Sequence, residues 1–372
     1  SLKLTMAVQS MDEQVLKNIR RENISEQRMM ELAPTIKESG LQTKAEVILG
    51  LPGESYDSHL ETLKTLLNAD MDEILVFSCM LLPGSEMYPH EERKKWGFET
   101  KHRILPRDFA KLSGGKTVLE TEEVVVGTEQ MTFDEYVELR VFNFILRVTS
   151  TDKVYSPLKK FLKEYDIKLF DLVEKMSKNL DNAPDSVKDI CTAYRRSTID
   201  ELWDTEEELK KHYQDPNEYN KLLNGTVGQN LLFFYHAFAI SEHIHDYTDF
   251  VLKVAKYLIT KKTDKNIDKE FLTISNYCIG SCHNIFGDDR METNPEFDYD
   301  YDILAWMNSK EVSFLNSFEL DKKLKIIFEL TEDQYKTVED SLDIFGHNKI
   351  GRSQVIKVVG PNKLWRKPVI IK

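Results

Sequence analysis

Cysteine is scarce: Cys79, Cys191, Cys278 and Cys282 are scattered over 372 residues. That spacing excludes a disulfide framework, and with no secretory signal ahead of it the chain reads as belonging to a reducing, cytoplasmic compartment. No run of about 18 apolar residues occurs, so a membrane-spanning helix is not expected. Positive charge is also short. Fifty Lys and Arg face 63 Asp and Glu, for a net charge of -13, which argues against a general nucleic-acid surface because phosphate binding needs clustered cations. Internal repeats and low-complexity tracts are missing too. What is present is a globular balance, 41% hydrophobic and 30% charged, at a length that suggests two or three domains. No methionine opens the chain, which starts at Ser1 directly on the strand-like LKLTMAVQS and so reads as a piece of a longer protein.

Between Leu4 and about Met87, short apolar runs alternate with longer amphipathic stretches. LTMAVQ is followed by a helical stretch from Asp12 to Ser39, AEVILGL by a helix from about Ser55 to Leu67, and EILVFSCMLL comes last. This pattern predicts parallel strands joined by helical crossovers and buried on both faces. Three strands cannot close a barrel, so either the sheet is open or the remaining strands lie upstream. From Arg93 to about Gly127 the signals weaken into a connector that contains EEVVVG. From Thr132 the period is helical through FDEYVELRVFNFILRV, and further helices are expected at roughly 154–178, 184–213, 228–261 and 265–285. Beyond Asp288 the sequence suggests a solvated acidic loop carrying Asp298, Asp300 and Asp302. A strand at LKIIFEL follows, then a helix capped by Thr331 and a strand at SQVIKVV. The expected fold class is α/β followed by mainly α, divided at 1–92, 93–131, 132–320 and 321–372.

Chemistry concentrates in VILGLPGES. Val47 to Leu49 form a strand, Gly50 lets another group approach its backbone, Pro52 and Gly53 turn the chain, and Glu54 and Ser55 open a helix whose free N–H groups suit an anion or a polar cap. The carboxyl edge of a β/α layer is where such folds place ligands; the alternative is an ordinary βα turn. One unit earlier stands MAVQSMDEQVLKNIRREN and one unit later FSCMLLPGSEMYP.

Together these three blocks resemble the second half of the barrel in radical S-adenosylmethionine (SAM) enzymes, particularly the cobalamin-binding-domain and methylthiotransferase-like branches. The resemblance covers residues 4 to about 90 and extends more loosely to EEVVVGTEQMTFDEYVELRVFN. It implies a partial β/α barrel in which Gln9 and Ser10 lie near the SAM ribose and carboxylate. It places Arg21, with Arg20 the adjacent candidate, where it helps hold SAM. Ile48 and Gly50 would line the groove beside the adenine, Pro52, Gly53 and Glu54 form the following turn, and Leu82, Pro83 and the residues to Ser85 meet the adenine through main chain. The family's four-iron cluster needs a C-x3-C-x2-C loop, which this sequence does not contain, so the 4Fe-4S cluster and any cobalamin are expected only in a longer protein. The implied activity is reductive SAM cleavage for radical chemistry, with methyl transfer the leading outcome.

Other readings stay open. A non-enzymatic interaction module could use the β/α layer as scaffold and meet a protein partner through the helices, and a Gly-Pro-Gly turn before a helix can cradle phosphate in other families. Cys278, Cys282, His283, His236, His243 and His245 could form a metal site on paper, although buried free cysteine usually behaves as a small hydrophobe. Cys79 is expected in the core, and LLFFYHAF is expected as bundle core.

Overall fold

The computed structural model describes residues 3–371 except 24, 26–27, 29–30, 33–34, 37–38, 40, 114, 116, 152, 288–293 and 310–312. The chain divides into two compact units, one of residues Ser1–Asn143 with Thr192–Leu231 and one of Phe144–Cys191 with Leu232–Lys372. The first unit runs through β1 (Lys3–Gln9), α1 (Glu13–Asn18), β2 (Gln42–Leu49), α2 (Tyr56–Asn68), β3 (Glu73–Ser78), α3 (His90–Lys95), β4 (Glu99–Lys111) and β5 (Thr117–Gly127). Helix α4 (Phe133–Thr151) then leaves it for the second unit, and α5 (Ser156–Glu164), α6 (Leu169–Ser177) and α7 (Asp185–Asp200) follow.

Strands β1, β2 and β3 are parallel in that order. Helix α2 starts at a reciprocal Ser55/Ser58 capping box and buries His59, Thr62, Leu63, Leu66 and Leu67, the spacing of one helical stripe. The expectation of burial on both faces is corrected. Along β2, Ala45, Val47 and Leu49 are fully buried while Lys44, Glu46 and Ile48 are half-exposed. On that face Phe77 is 47% exposed and Lys44 pairs with Glu46 at 2.7 Å, while Ile48 at its end packs against the cluster that holds Val15 of α1. The predicted helix from Asp12 to Ser39 is interrupted after Asn18, where Arg20 takes a left-handed φ of 54°; residues 28, 31–32 and 35–36 are helical again, and those between them lie outside the described residues.

Where a connector was expected, β4 and β5 form a long antiparallel hairpin. Pro106 weakened the strand signal. The register slips between Ile104 and Phe109, and Arg107 adopts a φ of 65°, so the strand bulges around the proline instead of ending there. Beyond β3, Cys79 N donates to Leu49 O at 2.7 Å, Val125 N to Cys79 O at 2.9 Å and Leu81 N to Glu123 O at 2.9 Å. The hairpin is thereby tied to the carboxyl edge of the parallel layer. Two short helices, α8 (Glu206–His212) and α9 (Pro216–Leu223), return to it, packing Leu209, Tyr213, Tyr219 and Leu222 on Ile104.

The second unit is helical around α5, α6, α10 (Leu231–Ser241), α11 (Ile244–Thr260) and α12 (Asp268–Ser281), with a three-stranded antiparallel sheet. That sheet has β6 (Glu296–Tyr301), β7 (Glu319–Glu329) and β8 (Lys367–Ile371) in order, and α13 (Ile303–Asn308), α14 (Glu332–Phe345) and α15 (Lys349–Val359) complete the unit. Thr331 caps α14 as expected, through a box with Gln334. Two sequence readings are corrected. Asp298 and Asp300 lie on β6 rather than in a loop, since Tyr299 and Tyr301, which alternate with them, are buried. SQVIKVV lies in α15, where the Asn348 side chain accepts from Gly351 N and Val355 and Ile356 turn inward while Val358 stays exposed; the cap decides against the β-branched run. The long helix at 154–178 is broken by Asp166 at φ 51°. Aromatic α10 packs Phe234 on Phe238 with ring centroids 4.7 Å apart.

Glu164 gives this unit a pH-dependent stability. Burial pushes its carboxyl up to about 7, aided by Glu270, while Leu315 N donates to it at 2.8 Å. An acid whose folded pKa exceeds its unfolded value of about 4.3 keeps its proton in the native state while the unfolded state loses one. Stability therefore falls as pH rises from about 4.5 to 7 and is flat beyond that. Discounted for partial exposure, the loss is about 1–2 kcal/mol. Glu164→Gln keeps an acceptor for Leu315. It is expected to be about 1 kcal/mol more stable than wild type at pH 8 and equal to it at pH 4, as read by urea midpoints at the two pH values.

Candidate functional site

The carboxyl edge of the parallel layer carries three successive turns. At the first, Ser10 N donates to Val8 O at 2.7 Å across Gln9, whose φ is 62°. This is a three-residue turn with a left-handed centre, a strained conformation for a non-glycine residue. The strain is held from several sides. Asn23 Nδ2 donates to Val8 O at 2.6 Å and Ser10 O at 2.7 Å, and Arg21 donates to Ala7 O and, through Nε, to Asn23 Oδ1 at 3.1 Å. Ser10 is fully buried; its hydroxyl accepts from Asp12 N at 3.2 Å and lies 3.4 Å from Thr62 Oγ1. Gln9 remains half-exposed at the strand end.

The second turn is built around a buried carboxylate. Gly50 has φ 95° and Gly53 φ 76°. A Cβ on Gly50 would stand 3.1 Å from Val125 O, and one on Gly53 would stand 2.6 Å from Asn18 Nδ2, which donates to Pro52 O at 2.9 Å. Glu54 is fully buried and folds back: Oε2 accepts from Gly50 N at 2.7 Å and Leu51 N at 3.2 Å, while Oε1 lies 3.0 Å from His59 Nδ1. Its carboxylate thus holds the turn together and does not reach the surface. Cys79 lies in the adjoining core, 2% exposed, its thiol pushed up to about 12 by burial and by Glu54.

The third turn closes through Ser85 N to Leu82 O at 3.0 Å, with Pro83 and Gly84 at its centre and Gly84 at φ 86°. Leu82 is 56% exposed, and a Cβ on Gly84 would meet nothing within 4 Å. Ser85 Oγ is enclosed and has no partner among the described residues. Side chains from all three turns converge: Val15 and Ile19 after β1, Ile48 and Leu51 around the second turn, and Leu81 and Met87 around the third pack together with Val125. Arg20 pairs with Glu86 at 3.2 Å across the first and third turns.

The structure therefore brings Gln9, Ser10, Arg21, Ile48, Gly50, Pro52, Gly53, Leu82 and Pro83 to one edge, with Glu54 beneath it. Sequence reasoning missed Asn18, Asn23 and His59. Asn23 stands inside the quoted IRREN phrase and His59 sits one helical turn after the Glu54 turn, so both were open to the same spacing argument. Among the described residues, no group of three or more His, Cys, Asp or Glu could hold a metal ion. Cys282 Sγ lies 3.2 Å from Thr248 Oγ1, and His283 Nε2 lies 2.6 Å from Leu364 O. Nor is any described helix long and apolar enough to cross a membrane.

No family model matches the chain. It is similar to the cobalamin-dependent radical SAM methyltransferase TokK of Streptomyces tokunonensis, 30% identical over 146 residues, which is 39% of this chain and 21% of that protein. It is also 30% identical over 152 residues to the 2-(S-pantetheinyl)-carbapenam-3-carboxylate methyltransferase of Streptantibioticus cattleyicolor, 39% of this chain and 21% of the relative. The match thus spans about a fifth of the length of either relative. These distant relatives support a general radical SAM and methyl-transfer relationship.

Proposed function

We propose that the first unit is part of a radical SAM methyltransferase and that the edge formed by its three turns contributes one wall of the SAM groove, in a partial β/α barrel. The observation that carries this reading is the strained Gln9, fixed by Arg21 and Asn23 beside the two glycine turns; such strain persists where the surroundings over-determine it, commonly at ligand sites. The residues present fit SAM. The Gln9 amide offers a donor and an acceptor to ribose hydroxyls, the enclosed Ser85 hydroxyl has no partner among the described residues, and the open space over Gly84 admits a flat ring against main chain. Arg21 acts by holding the first turn. When bound beside a reduced four-iron cluster, SAM supplies a 5′-deoxyadenosyl radical; the cluster's thiolates, and any cobalamin that relays a methyl group, would come from outside these 372 residues.

The test uses the longest reading frame that contains these residues, reconstituted anaerobically with iron, sulfide and cobalamin. Reductant-dependent 5′-deoxyadenosine is expected, and Gln9→Ala should raise the KM for SAM about tenfold, the scale of a lost hydrogen-bonding pair. A cluster-loaded protein that makes no 5′-deoxyadenosine would sink the reading.

A further inference from the structure

A cleft of about 520 Å³ opens in the second unit, a volume within the range of small-molecule sites. The C-terminal end of α5 and the residues after it line one part, the loop between α11 and α12 with the start of α12 another, and Phe314 and Asn316 a third. Two carboxylates of this lining have no counterion. Glu164 is the last residue of α5 and Glu270 lies in the first turn of α12, close enough to act on Glu164 through space. No described cation stands within ion-pair distance of either. Lys160, which also acts on Glu164 through space, is spent elsewhere: its Nζ donates to Ser309 Oγ at 2.9 Å, to Ser309 O at 3.2 Å and to Trp306 O.

The consequence shows on Glu164 itself. Burial pushes its carboxyl up to about 7, against the Leu315 N–H at 2.8 Å and the Trp306 indole, and Glu270 pushes the same way. Burial and the same two carboxylates raise the Tyr165 phenol to about 12. A positive group in the cleft would relieve all of this, and the C-terminal end of α5 favours one there through its macrodipole. The opposite charge is also present. Lys262 and Lys265, from the loop before α12, line the cleft without an ion pair among the described residues; the acid that Lys262 acts on, Asp166, is paired with Lys168 at 3.0 Å. These lysines repel a polycation and would meet an acid group. Phe314, 52% exposed, adds an aromatic face.

We propose that this cleft binds an amino-acid-type zwitterion, its ammonium between Glu164 and Glu270, its acid group toward Lys262 and Lys265 and its side chain against Phe314. An ammonium has three donors and no acceptor, which two carboxylates satisfy. The site belongs to the second unit and does not rest on the radical reading.

Binding should also move a proton. The charged groups around Glu164 are Lys160, Lys163, Asp166, Lys262, Lys265 and Glu270, and no described histidine lines the cleft. As the ammonium arrives Glu164 ionises and its proton passes to the buffer. The ionised share of a group titrating near 7 grows about tenfold from pH 6 to pH 8, so affinity should grow about tenfold with it.

Isothermal titration of the 372-residue chain with L-phenylalanine and with L-leucine, at pH 6 and pH 8, tests this. Saturable one-to-one binding is expected, about tenfold tighter at pH 8, with about one proton released at pH 6 as read from buffers of different ionisation enthalpy. Glu164→Gln, which keeps an acceptor for Leu315, should weaken binding about tenfold at pH 8 and remove the pH dependence. Glu270→Gln should weaken it about as much, and Lys262→Ala with Lys265→Ala should weaken L-phenylalanine while sparing phenethylamine. Near-UV circular dichroism confirms the fold of each variant. No saturable binding of either amino acid overturns the proposal, as does an affinity equal at the two pH values or unchanged in Glu164→Gln and Glu270→Gln. Phenethylamine or 3-phenylpropanoate binding as tightly as L-phenylalanine overturns it equally, since the cleft would then read only one end of the ligand.

Discussion

Glu54→Ala is expected to destabilise the first unit by about 3–5 kcal/mol, the usual consequence of removing one partner from a buried charged cluster. The carboxylate accepts from Gly50 N, Leu51 N and the His59 ring, all enclosed in the same turn. His59 is itself fully buried, and its Nε2 finds no partner among the described residues, so it has no second acceptor to fall back on once Glu54 is gone. Each stranded donor costs about 1–3 kcal/mol, and water cannot reach any of them without opening the turn. Glu54→Gln separates charge from shape. Its amide oxygen still accepts from both backbone donors, and its NH2 can donate to Nδ1 of a His59 tautomer that carries its proton on Nε2, so less than half of the loss is expected. Hydrogen exchange is the measurement of choice, because a chain of two compact units does not guarantee a single unfolding transition. The Gly50 and Leu51 amides should exchange at least about a hundredfold faster in Glu54→Ala, since 1.4 kcal/mol corresponds to tenfold. Unchanged protection there would show that the carboxylate does not hold the turn.

The sequence exposed the parallel layer because its signals are local. Aliphatic runs, the glycines at 50 and 53 and the serine cap at 55 each act within a few residues, and the three turns fall where the spacing put them. What stayed hidden depends on distant partners. That Glu54 would turn inward follows from donors at Gly50 and Leu51 meeting a histidine on the next helix, a choice that chain composition does not announce. The β4–β5 hairpin was obscured by Pro106 and by strands whose alternate residues, such as Arg103 and Glu122, are charged yet matched across the sheet and with Glu201. Arg140 read as one more position in an apolar helical stripe. Beside Tyr136 on the same helix, its hydroxyl partners Ser78 and Tyr194 come from β3 and α7, 62 and 54 residues away in sequence, so that convergence is a property of the fold.

Gly50→Val should prove nearly as severe, at about 3 kcal/mol, with Gly50→Ala near half of that. At φ 95° any L side chain is strained, by about 1–3 kcal/mol. The Cβ would also stand 3.1 Å from Val125 O and 3.4 Å from Val125 Cγ1, and the branched carbons of valine have no room beside them. Relief requires β5 to move, and β5 is held by the Val125 N to Cys79 O bond that ties the hairpin to the parallel layer. Because Gly50 N is also a donor to Glu54, the two substitutions share one turn, and the doubly substituted protein should fall short of the summed losses by about 1 kcal/mol or more. Strict additivity would mean that turn and hairpin fail separately. The same variants separate two reasons for a glycine at this position. If strand β5 alone requires it, Gly50→Ala loses stability and changes nothing else; if the proposed SAM groove also uses that backbone, the KM for SAM measured in the proposed reconstitution rises about tenfold in protein that is still folded.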